Sequence, residues 1–384
     1  MLVAIVHNEI GPDDPPEDQD LLCEVQGVAE ALRGLGHDTV IVPCSLDLAA
    51  MCRRLTELKP QAVFNLVESL AGDDSLAILA PAVFEALKMP YTGNTATGIF
   101  LTSHKLLAKE RLWLAGLPTP QWIAPPGAGR WPATCQSASG PTDAVRQAPQ
   151  APRRGLDVSP SPGSPELATE VPLLDCPISG GDYPGCLPAD QPADWIIKGI
   201  FEQGSRNIDD QAVVRGVDLA GIRQRLQQHA ARLGRFCYAE RYIDGREIAV
   251  GLLAGPEGME TLPPLEILFS DYPPDKPRIV GYQSKWLPDT FEYDHTPRTF
   301  DFPPSDQPML DRLRQLALRC VELFGLRGYA RVDFRIDSAG QPWILEVNPN
   351  PCLTPEAGFY CTVEHAGIGY AGAIKRILDA AATG

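Results

Sequence analysis

Two short segments near the C-terminal end hold the residue types best suited to chemistry. One reads Ala330-Arg331-Val332-Asp333-Phe334, and the other Trp343-Ile344-Leu345-Glu346-Val347-Asn348-Pro349-Asn350. Read as strands, their alternation puts Arg331 and Asp333 on one face, and Glu346 and Asn348 on one face. If the strands pair, two carboxylates and an amide oxygen converge. That all-oxygen set suits Mg²⁺, which keeps waters and takes substrate phosphates. The plain alternative is a surface salt-bridge cluster. The flanking Leu, Ile, Val and Phe decide against it, because unpaired charge among apolar side chains is costly.

Three lysines form a second set. Lys198 ends the apolar run Trp195-Ile196-Ile197, Lys105 falls in a helix expected over 103–115, and Lys285 sits in Gln283-Ser284-Lys285-Trp286. A lone lysine is usually solvated surface, but Lys198 follows its strand directly. Beyond it, Glu202-Gln203-Gly204-Ser205 makes a small-residue turn of the kind that cradles phosphates, a weak signal by itself. A third set is Glu240 and Glu247, which flank a turn between apolar strands. A carboxylate there accepts from ribose hydroxyls, and the strand-end backbone reads an adenine edge. The competing reading is an ordinary hairpin with polar ends.

The elements that position these residues follow from hydrophobic period. Strands are expected over 3–7, 39–43 and 62–67, with helices over 21–35 and 75–88 between and after them, the second capped by Asp73 or Asp74. This βαβα order predicts an α/β fold opening on a parallel sheet. Residues 124–193 are rich in Pro, Gly, Ser and Ala and are expected to be an irregular, mobile insertion. Strands resume at 194–198, 238–243, 247–253 and 265–269. A helix follows over 310–324, then a hairpin of 329–336 with 342–347 turning at Asp337-Ser338-Ala339-Gly340, and a last helix over 371–381.

Bulk properties bound the rest. A chain of 384 residues is long enough for two or three cored domains. A net charge of -16 with no basic stripe argues against nucleic acid as a partner, while leaving room for a nucleotide held by local lysines. No apolar run is long enough for a signal peptide or a bilayer span, so a cytoplasmic location is expected. The 10 cysteines contain no C-x-x-C pair and are expected to be reduced and mostly buried.

Taken in order, these segments resemble the ATP-grasp superfamily, and within it the D-alanine:D-alanine ligases. Pro90-Tyr91-Thr92-Gly93-Asn94 followed by Ser103-His104-Lys105 looks like their P-Y-T-G-S and S-M-D-K segments. Gly116-Leu117-Pro118-Thr119-Pro120 is similar to their G-L-P-x-x-P, and Leu345-Glu346-Val347-Asn348-Pro349-Asn350-Pro351 to their L-E-x-N-x-x-P. The resemblance implies a three-domain ATP-grasp architecture. A Rossmann-like N-terminal domain (1–101) precedes a central subdomain (102–243) carrying the insertion and a C-terminal subdomain (244–384) carrying the metal site, and the last two clamp the nucleotide. It also implies roles. Lys105, Lys198 and Ser205 would contact ATP phosphates, and Glu240 and Glu247 would hold adenine or ribose. Asp333, Glu346 and Asn348 would bind two Mg²⁺, with Mn²⁺ as an alternative. Arg331 would stabilise an oxyanion, and Lys285 would assist phosphoryl transfer.

The implied activity is ATP-dependent joining of a small-molecule carboxylate, amino acids being expected, to an amine through an acyl phosphate. The family also leaves room for a homodimer, and no membrane partner is expected. The departures cluster in one half. The family's G-G-x-S-x-E segment is absent after the first strand, which runs into His7-Asn8-Glu9-Ile10-Gly11-Pro12. Its H-G-x-x-G-E-D-G is replaced by Asn65-Leu66-Val67-Glu68-Ser69-Leu70-Ala71-Gly72-Asp73-Asp74, Arg206-Asn207 stand in the phosphate turn, and Cys352 stands at a family Gly. Weak or absent D-alanine ligation is therefore expected, with Glu68 or Glu9 as candidate ammonium partners. The alternatives are a ligase for another acid and amine in specialised metabolism, or a nucleotide-binding protein without catalysis. A Rossmann dehydrogenase is disfavoured by the missing G-x-G-x-x-G.

Overall fold

The computed structural model describes residues 1–124 and 191–383. Apart from its two ends, the expected insertion over 124–193 lies outside the described residues, and so does the expectation that it is irregular.

The first strand, β1 (Leu2–Asn8), is flanked by β2 (Asp38–Cys44) and β3 (Ala62–Leu66) in a parallel sheet of order β2-β1-β3. Alternation along β1 divides its side chains between two cores. Val3 and Ile5 pack toward helix α1 (Pro16–Gly34), while Ala4 and Val6 pack toward α2 (Leu48–Leu58) and α3 (Leu79–Ala86). Helix α1 starts at Pro16, five residues before the expected start at 21, because its first turn is polar: Pro16, Glu17 and Asp18 suit a helix N-terminus without adding to the apolar stripe. Leu21, Val25, Val28 and Leu32 bury its inner face, each contributing about 2 kcal/mol by removing apolar surface from water. The helix expected over 75–88 is shorter. Asp73 caps a single 3-10 turn at Ser75 N, and α3 begins only at Leu79.

A second sheet has order β4-β7-β5-β6, from β4 (Trp122–Ile123), β5 (Ala193–Gly199), β6 (Val213–Val217) and β7 (Cys237–Arg241). Trp195, Ile197, Cys237 and Ala239 face helix α6 (Leu219–Leu233), so period-two alternation turns Lys198 and Glu240 to the opposite face. Ahead of this sheet, the helix expected over 103–115 is α5 (Lys105–Leu114), and a further helix, α4 (Ala96–Ser103), runs directly into it. They break at His104, whose ring nitrogen accepts from Leu107 N and caps α5. Lys105 is thus the first residue of a helix, not an interior one.

The third sheet, of order β11-β10-β8-β12-β13 with β9 paired to β8, comprises β8 (Arg246–Gly255), β9 (Gly258–Thr261), β10 (Leu265–Ile267), β11 (Arg298–Thr299), β12 (Tyr329–Ile336) and β13 (Pro342–Asn348). Between β10 and β11 run the short helices α7 (Tyr282–Trp286) and α8 (Phe291–Asp294). Ile248, Val250, Val332 and Phe334 pack on α9 (Gln307–Phe324), which leaves Arg331 and Asp333 on the other face. Strands β7 and β8 follow each other in sequence but lie in different sheets, so the turn between Glu240 and Glu247 is not a hairpin.

The two chain ends share a core. The last helices, α10 (Gly358–His365) and α11 (Tyr370–Asp379), place Phe359, Val363, Ile374 and Ile377 against Val3, Ile5 and the inner face of α1. Asn94, 1% exposed, ties the same halves together. It donates to the carbonyls of Tyr329 (2.9 Å) and Pro349 (2.5 Å) and accepts from Arg327 N (2.8 Å). Gly93 and Gly328 meet there with φ of 81° and 70°. A Cβ on Gly328 would stand 3.2 Å from Gly93 N, so both backbone shape and space require glycine.

Among the described residues, no helix is long and apolar enough to cross a membrane. The seven described cysteines are all free, and three of them are buried.

Candidate active site

Antiparallel pairing of β12 and β13 brings the expected residues face to face. Arg331 stands opposite Asn348 and Asp333 opposite Glu346. The register then shifts, Phe334 pairing with Ile344, so Leu345 is the extra residue of a bulge. Such a bulge re-aims neighbouring side chains, and Leu345 and Glu346 line the same cavity. Arg331 holds Asp333 through two hydrogen bonds, of 2.7 and 2.9 Å. Asn348 Oδ1 accepts from Asn350 N at 2.9 Å, which fixes the amide and the Pro349 turn beyond it.

Cations surround this face. Lys105 Nζ lies 3.2 Å from Glu346 and donates to the Glu202 carbonyl. Burial would raise the Glu346 carboxyl, but Lys105, Lys285, Lys198 and Arg331 outweigh it and hold it down at about 2. It is therefore an anion at any working pH. Lys285, in α7, has its ammonium pKa lowered by burial and by Arg331. Trp286 beside it donates from its indole to the Gly204 carbonyl at 2.8 Å, closing the 203–207 loop over the site. In that loop Gly204, Ser205 and Asn207 all have positive φ. The Ser205 hydroxyl donates to the Val280 carbonyl at 2.8 Å, so it braces the loop from behind.

Glu240 is fully buried, and Lys109 and Lys198 each approach one of its oxygens at 2.5 Å. Burial would raise its pKa, but the two ammonium groups outweigh that and keep it ionised. In return, Glu240 overcomes the burial penalty on Lys198 and raises that ammonium's pKa. Lys109 escaped the sequence reading. One turn beyond Lys105 in an amphipathic helix, it looks like solvated surface, yet it is only 2% exposed. Glu247 pairs with the buried Arg335 at 2.7 Å and lines the cleft.

Two connected cavities run past these groups. A volume of about 110 Å³ is bounded by Lys105, Lys198, Glu240, Glu247 and Arg335. One of about 420 Å³ extends from Lys285, Arg331, Asp333 and Glu346 to the first sheet. Every nucleotide-, metal- and oxyanion-site residue expected from the sequence thus lines one of these two cavities. The far wall of the larger cavity was not foreseen as a set. Glu17, Asp18, Asp20 and Glu24 of α1 join Glu68 and Asp74 there, with Arg206 the cation set among them. Arg206 spends its guanidinium on Glu17 (3.1 Å), Asp18 (2.6 Å) and Asp74 (3.1 Å). Of the two expected ammonium partners, Glu68 lines this cavity, whereas Glu9 is exposed and does not. Glu24 was the most readable of the missed residues, because it interrupts the apolar face between Leu21 and Val28.

Asp333, Glu346 and Asn348 supply three oxygen donors on adjoining strands, and among the described residues no three His, Cys, Asp or Glu side chains form a closed metal cage. An open set of this kind fits Mg²⁺, which draws its remaining ligands from phosphates and water.

Comparison with known proteins agrees with this layout. A family model described as D-ala D-ala ligase C-terminus matches residues 219–379. The D-alanine--D-alanine ligase of Moorella thermoacetica is 26% identical over 354 residues, covering 92% of each chain. An uncharacterized protein, y4sG, of Sinorhizobium fredii is 25% identical over 359 residues, covering 92% of this chain and 86% of that one. The crystal structure of the D-alanine--D-alanine ligase from Bacillus anthracis complexed with ATP superposes with a TM-score of 0.62 at 16% identity, covering 100% of this chain and 97% of that one. The chain has the ATP-grasp fold and resembles the D-alanine--D-alanine ligases over most of its length.

Proposed function

We propose that this chain is an ATP-dependent carboxylate–amine ligase, built as three domains at 1–101, 102–243 and 244–384, that makes an amide bond through an acyl phosphate. The observation that carries the reading is the cross-strand pairing of Arg331 and Asp333 with Asn348 and Glu346, ringed by Lys105, Lys198 and Lys285. The first boundary falls inside α4, and the second in the loop between β7 and β8.

The smaller cavity takes the nucleotide and the larger one the acid and amine. Lys105 and Lys198 neutralise the phosphates. Glu240 works through Lys198, whose ammonium it orients and keeps protonated, so a purine meets the β7 backbone rather than a free carboxylate. Glu247 accepts from the ribose, and Ser205 holds the loop that covers the phosphates. Asp333, Glu346 and Asn348 hold Mg²⁺, which when bound lowers the cost of charge on the transferring phosphoryl group. Lys285 follows that group with a positive charge, and Arg331 meets the charge that develops on the carbonyl oxygen when the amine attacks.

Mg-ATP at 100 times its dissociation constant should stabilise the native state by about 2.7 kcal/mol, seen as a rise in melting temperature. No rise at millimolar Mg-ATP sinks the reading.

A further inference from the structure

The larger cavity has two unlike ends. At the reacting end each carboxylate has a cation beside it. At the α1 end, Arg206 answers Glu17, Asp18 and Asp74, which leaves Asp20, Glu24 and Glu68. Asp20 accepts from the Thr354 hydroxyl at 3.0 Å and from the Cys352 thiol. Glu24 is 2% exposed, and Leu353 N is the one donor to its carboxylate among the described residues. No described side chain or backbone group donates to the Glu68 carboxylate.

A second observation points the same way. Ser69 and Ser103, 4% and 8% exposed, both line this cavity, and neither hydroxyl has a hydrogen-bond partner among the described residues. Buried polar groups are normally paired. Carboxylates and hydroxyls that open onto one cavity without donors form a surface for a ligand rich in N–H groups.

Resting on the ligase reading, we propose that the carboxylate substrate carries a second protonated nitrogen, an amine or guanidinium, seated between Glu24 and Glu68 and the hydroxyls of Ser69 and Ser103. A simple amino acid brings one ammonium, which answers one of these carboxylates and leaves the other desolvated. A basic amino acid answers both. The electrostatics agree with the geometry. Burial first, then Glu68, pushes the Glu24 carboxyl well above its ordinary range, and burial first, then Asp74, pushes Glu68 up to about 8. A buried and a half-buried acid that repel each other are relieved by a bound cation.

The test traps the acyl phosphate with hydroxylamine in the presence of Mg-ATP, using the full chain. Lysine, ornithine and arginine are compared with alanine, each in both hands. The expected kcat/KM for the best basic acid exceeds that for alanine by about 100-fold, the order of the penalty for leaving a buried polar group unsatisfied. Glu68→Gln should collapse that ratio while the Mg-ATP thermal shift stays. If Glu68→Gln does not fold, Ser69→Ala reads the same ratio, expected to fall about tenfold. Alanine turned over as well as the basic acids overturns the proposal. So does a variant that lowers both classes alike, or a wild type that binds Mg-ATP and activates neither. Loss of the Mg-ATP shift in the wild type strikes the ligase reading instead.

Discussion

The two ends of the cleft differ in how their charges are settled. Around β12, β13 and α5, the acids that face the cleft have basic partners placed by strand register or helix position: Lys105 with Glu346, Arg331 with Asp333, and Lys109 and Lys198 with Glu240. Along α1 and the segment after β3, six acids face one arginine. The first arrangement is set to receive a polyanion, because Lys105, Lys198 and Lys285 converge on one face. The second is set to receive a cation, because its carboxylates repel one another until one arrives. On the proposed ligase reading, a cleft polarised in this way would orient a substrate with its carboxylate toward Arg331 and its nitrogens away from it.

Breaking each end separately sharpens the contrast. The largest effect on stability is expected at the balanced end. Lys109→Met removes one of two cations from a fully buried carboxylate and should cost about 3–5 kcal/mol in urea unfolding. A cost below about 1 kcal/mol means that Lys198 alone satisfies Glu240. At the acid end, Arg206→Ala leaves Glu17, Asp18 and Asp74 facing one another. The arginine side chain is 18% exposed, so a smaller loss of about 2 kcal/mol is expected. High salt should shrink that loss, and a salt-independent loss would mean that packing rather than charge is responsible.

The smallest effect is one of pH. Glu68 keeps its proton up to about 8 in the folded chain but releases it near 4.5 when unfolded. Between those values the folded state binds more protons. Stability owed to this group is therefore present below 4.5, falls as pH rises through the window, and is gone above about 8. Burial contributes most to the shift, and Asp74, Asp20 and Asp18 add to it against Arg206. Glu68→Gln should thus melt at a temperature that falls less than the wild type's between pH 5 and pH 8. Parallel melting curves across that range would show that Glu68 is already ionised at pH 5.

The same division governs what could be read in the sequence. The hairpin was legible because both its strands alternate and the Asp337–Gly340 turn is local, so pairing follows from period and turn together. Lys198 was legible because it ends an apolar strand. The bulge at Leu345 was not, since a register shift is a property of two strands and not of either alone. The break at His104 turns on one ring nitrogen accepting from Leu107 N, which no periodic pattern reveals. The acid wall was missed for a different reason. Its members come from α1 and from the segment after β3, and only packing brings them to one cavity. Glu68 was picked out by its place at a strand end, whereas Glu17 and Asp18 fell outside the helix expected over 21–35. Residues tied by strand neighbours were foreseen together with their partners, whereas the grouping of those tied by tertiary packing was not.

The measurement that bears most directly on the central claim is ADP release from Mg-ATP that requires both an acid and an amine, in the wild type and in Glu346→Gln. Removing one carboxylate from the set proposed to hold the metal should lower kcat by about 10²–10³-fold, the scale of losing one preorganised electrostatic group, with the fold retained. A Glu346→Gln variant that folds and keeps near-wild-type, acid- and amine-dependent turnover would contradict the account, because the carboxylate at the centre of the cross-strand set would then be structural.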